Sequence, residues 1–247
     1  MSLSPITVKE GAIMVADAHY ASYRPIFKKL LDGIESDKIV TPQLLLMGDV
    51  FDLLFAPVDA FLALEKETVQ QINRLSKKIE IVYIEGNHDF LLANIFPDIL
   101  VIPINQQPYP ANFLGGSGWL AHGDWDGSLG YKVYTSFIRN RTIISVLNKL
   151  DHILRGTISR KLSSKMALKK LCRSFTGFKD FIENRFKRYS HYKGWFIEGH
   201  FHQGVEIKLE NLKYFNLDSM ACNQSYFVVQ SNNNEILLIK HKLEESE

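Results

Sequence analysis

The sequence predicts an α/β protein with a largely parallel sheet in its first half, a helical insertion and a strand-rich end. Three observations predict this class. Short apolar segments alternate with segments of helical periodicity, polar residues follow many of the apolar segments, and one long stretch is both helical and basic. Alternating strands and helices are typical of parallel sheets with helical crossovers. With 247 residues and 46% hydrophobic content, the chain can bury a substantial core.

The first half of the chain alternates between buried strands and amphipathic helices. Residues 12–19 (AIMVADAH) predict a short strand with a polar end, and residues 23–34 carry apolar side chains at helical spacing. A second strand is predicted over 43–52 (QLLLMGDVFD), one or two helices over 58–79, and a third strand over 79–89 (IEIVYIEGNHD). This order predicts a parallel sheet.

The second half of the chain changes character twice. Residues 113–124 (FLGGSGWLAHGD) predict a hairpin that closes on a further strand, and residues 130–192 are helical in pattern and basic. The chain then returns to short strands, which are predicted in the segments VEIKL, LKYFNL, SYFVVQ and EILLIK, broken by LEN and SNNNE.

The charge of the chain is unevenly distributed, although the net charge is only +2. Between Lys132 and Lys193 there are sixteen Lys and Arg residues and three acidic residues, whereas the remainder has 13 basic and 24 acidic residues. A basic block of this kind favours an anionic partner, such as a phosphate group, a nucleic acid or the inner leaflet of a membrane.

Several classes of protein are disfavoured by the sequence. Its apolar runs are far shorter than the roughly 20 residues that cross a bilayer, and the segment MSLSPITVKEG has no secretion signal. Cys172 and Cys222 lie in unrelated contexts and form no disulfide or zinc pattern. A reducing, cytoplasmic location is therefore expected.

Polar residues gather directly after the predicted strands. Five of the eight histidines lie there, each beside Asp, Asn or another His. Because ligands of open α/β sheets bind outside the carboxyl ends of strands, these loops are expected to converge on one place. In chain order the motifs are Asp17-Ala-His19, Gly48-Asp49-Val-Phe-Asp52, Gly86-Asn87-His88-Asp89, His122-Gly123-Asp124 and Gly199-His200-Phe-His202.

This ordered series of motifs resembles the calcineurin-like metallophosphoesterases from one end of the chain to the other. The resemblance implies a four-layer αββα sandwich with an inserted helical cap. It implies that residues 1–127 and 194–247 form the phosphoesterase core and that residues 128–193 form the basic cap, which faces the substrate and the membrane.

The resemblance also implies a centre with two divalent metal ions. Oxygen and imidazole ligands without thiolate suit Mn²⁺, Fe or Zn²⁺, and Mn²⁺ is expected. A pair of such ions needs a carboxylate that bridges them, and by resemblance this is Asp49. The implied ligands of the first metal are Asp17, His19, Asp49 and His202, and those of the second are Asp49, Asn87, His122 and His200.

Other motif residues receive supporting roles. By resemblance, His88 stands beside the leaving group as an acid or charge stabiliser, and Asp89 orients His88 through its other ring nitrogen. Gly86 allows the backbone to turn before the Asn87 carbonyl reaches the second metal. Asp52 and Asp124 are interpreted as residues that support the ligands or the turns rather than as ligands.

The basic cap carries a further resemblance, to the bacterial UDP-2,3-diacylglucosamine diphosphatases of lipid A biosynthesis. The segments GDVFD, DFLL and GYKVYTSFIRNR are similar to that family, as is the chain length. The resemblance implies hydrolysis of UDP-2,3-diacylglucosamine to UMP and 2,3-diacylglucosamine 1-phosphate. An apolar groove of Phe137, Ile138, Ile143, Leu147, Leu150 and Phe181 would take the acyl chains, and Tyr131, Arg139, Arg141, Lys169 and Arg173 would bind the head. Such a cap would also lie against the anionic inner leaflet.

The sequence leaves other functions open. The well-studied branch of the diphosphatase family carries Arg where this chain has His88, so another capped phosphate substrate is an alternative. A nuclease or nucleotide pyrophosphatase of the same superfamily would also use a basic cap, and a phosphoprotein phosphatase would prefer monoesters. The alternative from a different class is a non-catalytic metal-binding scaffold, but here every ligand position is filled. No protein partner is predicted.

Overall fold

The computed structural model describes residues 3–232 and 235–243. In these ranges the strands are β1 (Ile6–Thr7), β2 (Ile13–Val15), β3 (Gln43–Leu46), β4 (Leu54–Phe55), β5 (Glu80–Ile84), β6 (Asp89–Phe90), β7 (Leu100–Ile102), β8 (Tyr109–Phe113), β9 (Gly116–Ala121), β10 (Gly194–Glu198), β11 (Val205–Lys208), β12 (Leu212–Asn216), β13 (Ser225–Asn232) and β14 (Glu235–Lys242). The helices are α1 (Ile26–Glu35), α2 (Asp59–Leu64), α3 (Lys66–Leu75), α4 (Leu129–Ile138), α5 (Arg141–Ile153), α6 (Thr157–Ala167), α7 (Phe178–Arg188) and α8 (Met220–Asn223).

The strands form two sheets of six strands and one of two. Sheet 1 has the order β1-β8-β9-β10-β12-β11, and sheet 2 has the order β14-β13-β2-β3-β5-β7. Strands β2, β3, β5 and β7 are parallel neighbours, which confirms the parallel sheet predicted for the first half. The predicted hairpin is the antiparallel pair β8 and β9. The predicted break in SNNNE includes residues 233 and 234, which lie outside the described residues.

The two sheets pack face to face, with helices on their outer faces. Along β2, the Met14 side chain lies in the core between the sheets, whereas Ile13 and Val15 pack on the other side against α1 and α3. Successive strand residues point to opposite faces, so a strand covered on both faces is apolar throughout. Helix α7 covers the outer face of sheet 1 through Ile182 and Phe186. This arrangement confirms the predicted αββα sandwich.

The predicted helical stretch divides between two places in the fold. Ile144 of α5 and the half-buried Leu162 of α6 pack against Phe55, Phe61 and Phe90 of the core. Helix α7 instead packs on sheet 1. The segment that we interpret as the cap therefore covers the core through α4, α5 and α6, while α7 contributes to the sandwich.

Arg185 of α7 is fully buried, and it joins this helix to the ends of two strands of sheet 1. Its guanidinium donates to Glu198 at the end of β10, to Asp126, and to the carbonyl oxygen of Gly123. The Tyr214 hydroxyl also donates to Glu198, at 2.7 Å. A buried charge requires such partners, so this network fixes α7 beside two of the predicted ligand loops.

The two cysteines are bonded to each other. Cys172 follows α6, Cys222 lies in α8, and their Cα atoms are 5.6 Å apart. The prediction of no disulfide was therefore wrong. The two residues are 50 positions apart in the sequence and meet only through the tertiary fold, so no local pattern marks the pair. The expectation of a reducing compartment loses the support that it drew from unpaired cysteines.

Membrane crossing was not expected from the sequence. Within residues 3–232 and 235–243, no helix combines the length and the apolar character needed to cross a bilayer.

Glu65 gives the fold a pH dependence that can be measured. Burial and the negative charge of Asp52 raise the pKa of its carboxyl to about 7. An unfolded Glu titrates near about 4.3, so between these values the folded chain binds more protons and stability falls as pH rises. We expect Glu65→Gln to stabilise the protein by about 1 kcal/mol near about pH 8, after solvent screening, and to have little effect near about pH 4. Urea denaturation at both pH values measures this, and equal effects would contradict the assigned cause.

Candidate active site

The predicted ligand loops converge at one end of the two sheets. Asp17 and Asp49 follow the parallel neighbours β2 and β3 of sheet 2, and His122 and His200 follow the parallel neighbours β9 and β10 of sheet 1. Because parallel neighbours end at the same edge, residues far apart in the sequence come together there.

The backbone at this edge adopts conformations that non-glycine residues rarely adopt. Asp17, His19, Asp49, His200 and His202 all have positive φ angles, between 42° and 65°. Such conformations cost roughly 1–3 kcal/mol each and cluster at functional sites, where the surrounding structure holds them. All five residues were predicted from the sequence as metal ligands.

Two glycines allow the loops to approach each other closely. A Cβ atom at Gly86 would lie 2.2 Å from Asp49 Oδ1, and one at Gly48 would lie 2.3 Å from His122 Nδ1. Gly48 also has a φ of +86°, which favours glycine. The glycines before Asp49 and Asn87 are therefore needed to pack the site.

One cluster at the site contains Asp17, His19 and His202. A ligand atom from each residue lies within 4.8 Å of the others, a spacing that could hold a metal ion. His202 Nε2 is 3.1 Å from Asp17 Oδ1, and the backbone N–H of His200 donates to Asp17 Oδ2 at 2.8 Å.

A second cluster contains Asp49, His122 and His200 at the same spacing. Asp49 Oδ2 lies 3.5 Å from His122 Nε2 in this cluster and 4.0 Å from His19 Nε2 in the first. His122 Nε2 is in turn 3.2 Å from His200 Nδ1. The Asp49 carboxylate thus faces both clusters, which is the position of a bridging ligand.

Asn87 lines the same cavity as Asp49 and His200 and has a buried side-chain oxygen. Among residues 3–232 and 235–243, no donor bonds to Asn87 Oδ1. A buried polar atom without a partner costs free energy, so it indicates a ligand that the protein chain itself does not provide. Together with carboxylate and imidazole donors, this oxygen fits a hard divalent metal ion.

Neighbouring oxygens orient the imidazole rings. His122 Nδ1 is 3.1 Å from the Met47 carbonyl oxygen, and His202 Nδ1 is 3.2 Å from the Leu171 carbonyl oxygen. Such contacts set the ring orientation and tautomer of metal-binding histidines and leave Nε2 free to coordinate. In both residues Nε2 points toward a carboxylate of the site.

Asp52 and Asp124, which we interpret from the sequence as supporting residues, contact other side chains of the site. Asp52 Oδ1 lies 3.4 Å from His19 Nδ1, and Arg24 Nη2 donates to Asp52 Oδ2 at 2.6 Å. Asp124 Oδ2 accepts from the Tyr131 hydroxyl at 3.0 Å and from Arg139 at 3.2 Å. Asp52 also has a ligand atom within 4.8 Å of those of His19 and His88. It therefore lies close to the predicted metal centre and does more than form a turn.

His88 lies between the core and the cap. Its Nδ1 is 2.8 Å from the Asp52 carbonyl oxygen, and its Nε2 is 3.0 Å from Lys169 Nζ. The predicted orientation of His88 by Asp89 is therefore wrong, because the ring contact that Asp89 was expected to make is made by the backbone of Asp52.

Asp89 instead supports the loop that carries Asp49. Its carboxylate accepts from the backbone N–H groups of Asp49, Val50 and Phe51 and from the Tyr83 hydroxyl. Burial and the charge of Asp49 raise the pKa of Asp89 to about 7. We therefore interpret Asp89 as a residue that positions the predicted bridging ligand.

Charges within the site are strongly coupled. Burial disfavours ionisation of Asp49, but the imidazoles of His122 and His88 outweigh it and hold the pKa of the carboxyl well below its usual value. Burial likewise opposes the charge on His122, yet Asp49 raises the pKa of that imidazole. Burial and the nearby His122 lower the pKa of His200 to about 4. His200 is thus neutral near pH 7, whereas His122 would have to release a proton before it could bind a metal ion.

Two cavities of different character meet at this site. An apolar cavity of about 340 Å³ lies under α4, α5 and α6, where Phe55, Ile144 and Leu162 line it. A polar cavity of about 520 Å³ contains the predicted ligands His19, Asp49, His200 and His202. The two cavities share Asn87, His88 and Lys169.

The structure brings some predicted substrate-binding residues to the cavities. Tyr131 lines the apolar cavity, Arg173 lines the polar cavity, and Lys169 lines both. Arg139 donates to the Gly86 carbonyl oxygen at 2.8 Å, so it ties the cap to the loop before Asn87. Within the part of the chain that the structure describes, the residues that line the two cavities do not include Arg139 or Arg141.

Only some of the residues predicted to form the acyl groove line the apolar cavity. Ile138 and Leu147 line the apolar cavity as expected, whereas Phe137 is 59% exposed. Phe181 packs with Phe178 and Phe201 against sheet 1, because α7 lies in the sandwich.

Comparison with known proteins gives the family. The model of the calcineurin-like phosphoesterases matches residues 13–204, which include every predicted ligand. The chain belongs to this family. It is therefore a metal-dependent phosphoester hydrolase, and the clusters described above are consistent with divalent metal ions.

Named relatives of this phosphoesterase share a description. A UDP-2,3-diacylglucosamine hydrolase from Pseudomonas putida is 28% identical over 62% of this chain and 65% of its own length. One from Histophilus somni is 26% identical over 76% of this chain and 82% of its own length. The chain thus matches about two thirds of the Pseudomonas relative.

Solved structures that resemble this phosphoesterase are more distant. An archaeal phosphodiesterase is 10% identical, with a TM-score of 0.47 over 93% of this chain and 99% of its own. A dimetal phosphatase from Danio rerio is also 10% identical, with a TM-score of 0.46 over 96% of each chain.

Some residues of the site were not predicted from the sequence. Arg185 supports the ligand loops from α7, and Phe175 and Gln203 line the polar cavity. Arg185 lies in the basic stretch, where many charges are expected on the surface. Only the tertiary structure shows that its charge is buried.

Proposed function

We propose that this phosphoesterase hydrolyses the pyrophosphate bond of UDP-2,3-diacylglucosamine, giving UMP and 2,3-diacylglucosamine 1-phosphate. The observation that supports this most strongly is the meeting of the two cavities at Asn87, His88 and Lys169. UDP-2,3-diacylglucosamine is divided in the same way, because a pyrophosphate joins its apolar lipid half to its polar nucleotide half. The names of the relatives support the same substrate.

We assign the ligands as the sequence predicts them. Asp17, His19, Asp49 and His202 would hold the first metal ion, and Asp49, Asn87, His122 and His200 the second, with Mn²⁺ as the expected metal. The distances within the two clusters and the unpartnered oxygen of Asn87 support this assignment. When bound, two such ions clamp phosphoryl oxygens and lower the pKa of water into the nucleophilic range.

The protein's own groups hold the pyrophosphate beside this centre. Lys169 Nζ lies 3.0 Å from His88 Nε2 where the cavities meet, so its ammonium can donate to a phosphoryl oxygen beside the ring. The Asp52 carbonyl oxygen accepts from His88 Nδ1 and fixes the ring, and we assign His88 the role of an acid or charge stabiliser beside the leaving phosphate. Because Lys169 follows α6, the cap contributes to the same site as the core.

The cap would also bring the protein to its lipid substrate. Its described helices carry exposed apolar residues, among them Leu129, Val133, Phe137 and Ile153, within a strongly basic segment. Apolar side chains surrounded by Lys and Arg are typical of segments that bind anionic membrane surfaces from one side. We therefore propose peripheral binding to the cytoplasmic leaflet through the cap of residues 128–193.

The substrate can be tested directly. Purified protein with Mn²⁺ is expected to release UMP from UDP-2,3-diacylglucosamine much faster than from UDP-N-acetylglucosamine, which carries only an N-acetyl group in place of the two long acyl chains. Hydrolysis of bis-p-nitrophenyl phosphate reports on the centre alone. Hydrolysis of this diester without release of UMP would reject the lipid substrate, and cleavage of single-stranded DNA under those conditions would indicate a nuclease.

A variant in the apolar cavity sharpens this test. Leu147 lines the cavity and is 42% exposed, so Leu147→Lys should fold normally. We expect kcat/KM for the lipid substrate to fall by roughly 10-fold to 100-fold, because an acyl chain loses about 1.5–3 kcal/mol of apolar contact. Val146→Lys, on the same helix and 51% exposed, is the matched control. Equal losses in both variants, measured in detergent, would contradict the proposed groove.

A further inference from the structure

The wall of the polar cavity opposite the core is a segment without helix or strand. This segment, residues 169–176, is called the strap. Every strap residue except Cys172 lines the polar cavity, which is also lined by five of the predicted metal ligands, His19, Asp49, Asn87, His200 and His202. The strap therefore faces whatever part of a substrate extends from the centre away from the apolar cavity.

Several contacts hold the strap in one arrangement. Cys172 is bonded to Cys222 in α8, and the Leu171 carbonyl oxygen lies 3.2 Å from His202 Nδ1. The Gln203 side chain accepts from the Phe175 backbone N–H at 3.0 Å and donates to the Arg173 carbonyl oxygen at 3.2 Å. A binding surface that is fixed in advance loses less entropy when its ligand arrives.

The strap presents an aromatic ring and a cation to the cavity. Phe175 is 40% exposed, although its ring centroid lies only 5.2 Å from that of Phe181 and 5.4 Å from that of Phe178. Its neighbours thus support the ring from behind without covering it. Arg173, two residues earlier, lines the same cavity. An exposed aromatic ring and a guanidinium that line one cavity are typical of sites that bind a base and a phosphate.

The division of the substrate between the two cavities decides which half reaches the strap. The apolar cavity suits the acyl chains, and Asn87, His88 and Lys169, which both cavities share, suit the pyrophosphate. The remaining half of the substrate is a nucleotide, and the remaining space is the polar cavity. Its volume of about 520 Å³ is within the usual range for small-molecule sites, roughly 300–1,000 Å³.

We propose that the strap forms a nucleotide subsite, in which the base stacks on the ring of Phe175 and Arg173 contacts the phosphate of the nucleoside monophosphate half. This inference rests on the proposed function, because it assigns the second half of that substrate. Phe175 is then a specificity residue, which distinguishes a nucleotide from other groups attached to the same pyrophosphate.

The test uses UMP and ribose 5-phosphate as inhibitors of the purified protein with Mn²⁺, and bis-p-nitrophenyl phosphate as the substrate. For the unmodified protein, we expect UMP to inhibit at least about tenfold more strongly than ribose 5-phosphate, which lacks a base. Phe175→Ala should remove this difference, whereas Phe175→Tyr should keep it. Thermal unfolding and metal content should be the same in both variants as in the unmodified protein, because the Phe175 ring is partly exposed.

Phe137→Ala is the matched control, since Phe137 is also exposed but lies in α4 and does not line the polar cavity. The proposal is overturned if UMP and ribose 5-phosphate inhibit equally, or if Phe175→Ala keeps the preference for UMP. It is also overturned if Phe175→Ala lowers the unfolding temperature or the metal content enough to explain the lost preference for UMP, because the role would then be structural.

The outcome is separable from that of the proposed function. Inhibition by UMP that depends on Phe175, without hydrolysis of the UDP-lipid, supports the nucleotide subsite and rejects the lipid substrate. Hydrolysis of the UDP-lipid with no effect of Phe175→Ala on KM or on UMP inhibition rejects the subsite and leaves the lipid substrate in place.

Discussion

Replacing Asp49 with Asn is expected to reduce phosphoester hydrolysis by roughly 10³-fold or more, with little change in the fold. The estimate follows from the several kcal/mol of charge stabilisation that metal ions supply in such centres. Asp49 is the carboxylate that faces both clusters, and its Oδ2 lies 3.5 Å from His122 Nε2 and 4.0 Å from His19 Nε2. An amide nitrogen there carries no negative charge to bridge two cations.

The fold should survive this substitution because the remaining oxygen can keep the structural contact. Asp49 Oδ1 accepts from the backbone N–H of His88 at 2.8 Å, and the Asn carbonyl oxygen can accept the same bond. Metal content by mass spectrometry and thermal unfolding by circular dichroism separate loss of metal from loss of structure.

Asp98→Asn is the matched control for Asp49→Asn. Asp98 is exposed, so the same change of side chain should leave turnover and metal content unaltered. An Asp49→Asn protein that retains both metal ions and hydrolyses bis-p-nitrophenyl phosphate at the original rate would refute the bridging role.

Replacing Arg185 with Met is expected to lower the free energy of unfolding by about 3–5 kcal/mol. Arg185 is fully buried, and it neutralises Glu198, which is also fully buried. Removing the guanidinium leaves a carboxylate without its cation in the interior, and the Gly123 carbonyl oxygen loses its donor. This free energy is a large part of the 5–15 kcal/mol that stabilises a typical domain.

A second substitution, Glu198→Gln, distinguishes a charge effect from a packing effect by whether it raises or lowers the free energy of unfolding of Arg185→Met. Adding Glu198→Gln to Arg185→Met removes the unpaired charge, so the double variant should recover part of the lost stability. Arg188→Met is the control on the same helix, because the Arg188 side chain is 67% exposed, and we expect a change below about 0.5 kcal/mol. Urea denaturation measures all three. A loss in Arg188→Met as large as in Arg185→Met would show that α7, rather than the buried pair, determines the effect.

Much of the centre could be predicted because each ligand follows a strand with a recognisable apolar pattern. The spacing from Asp17 to His19 and from His200 to His202 is short, so these residues and the glycines near them are visible as local motifs. The predicted contact between Asp89 and the His88 ring was wrong because a local motif does not show where each side chain points. Adjacent residues on a tight turn need not contact each other, and the Asp89 carboxylate turns toward the backbone of the Asp49 loop.

The pairing of cysteines and the path of the strap could not be predicted. Cys172 and Cys222 are separated by 50 positions, and the contacts of Gln203 with the strap span about 30 residues. Neither pair has a periodic or local pattern, because each contact exists only after the cap and the sandwich have packed together.

The sequence by itself determined the fold class, the order of the ligand loops and the basic character of the cap, because hydrophobic periodicity and local motifs encode these features directly. Only the tertiary structure decided that α7 belongs to the sandwich, that Arg185 is buried, and that an apolar and a polar cavity meet at His88. These features depend on which faces of distant elements pack together. That choice is made by burial of apolar surface and by pairing of charges across the whole chain.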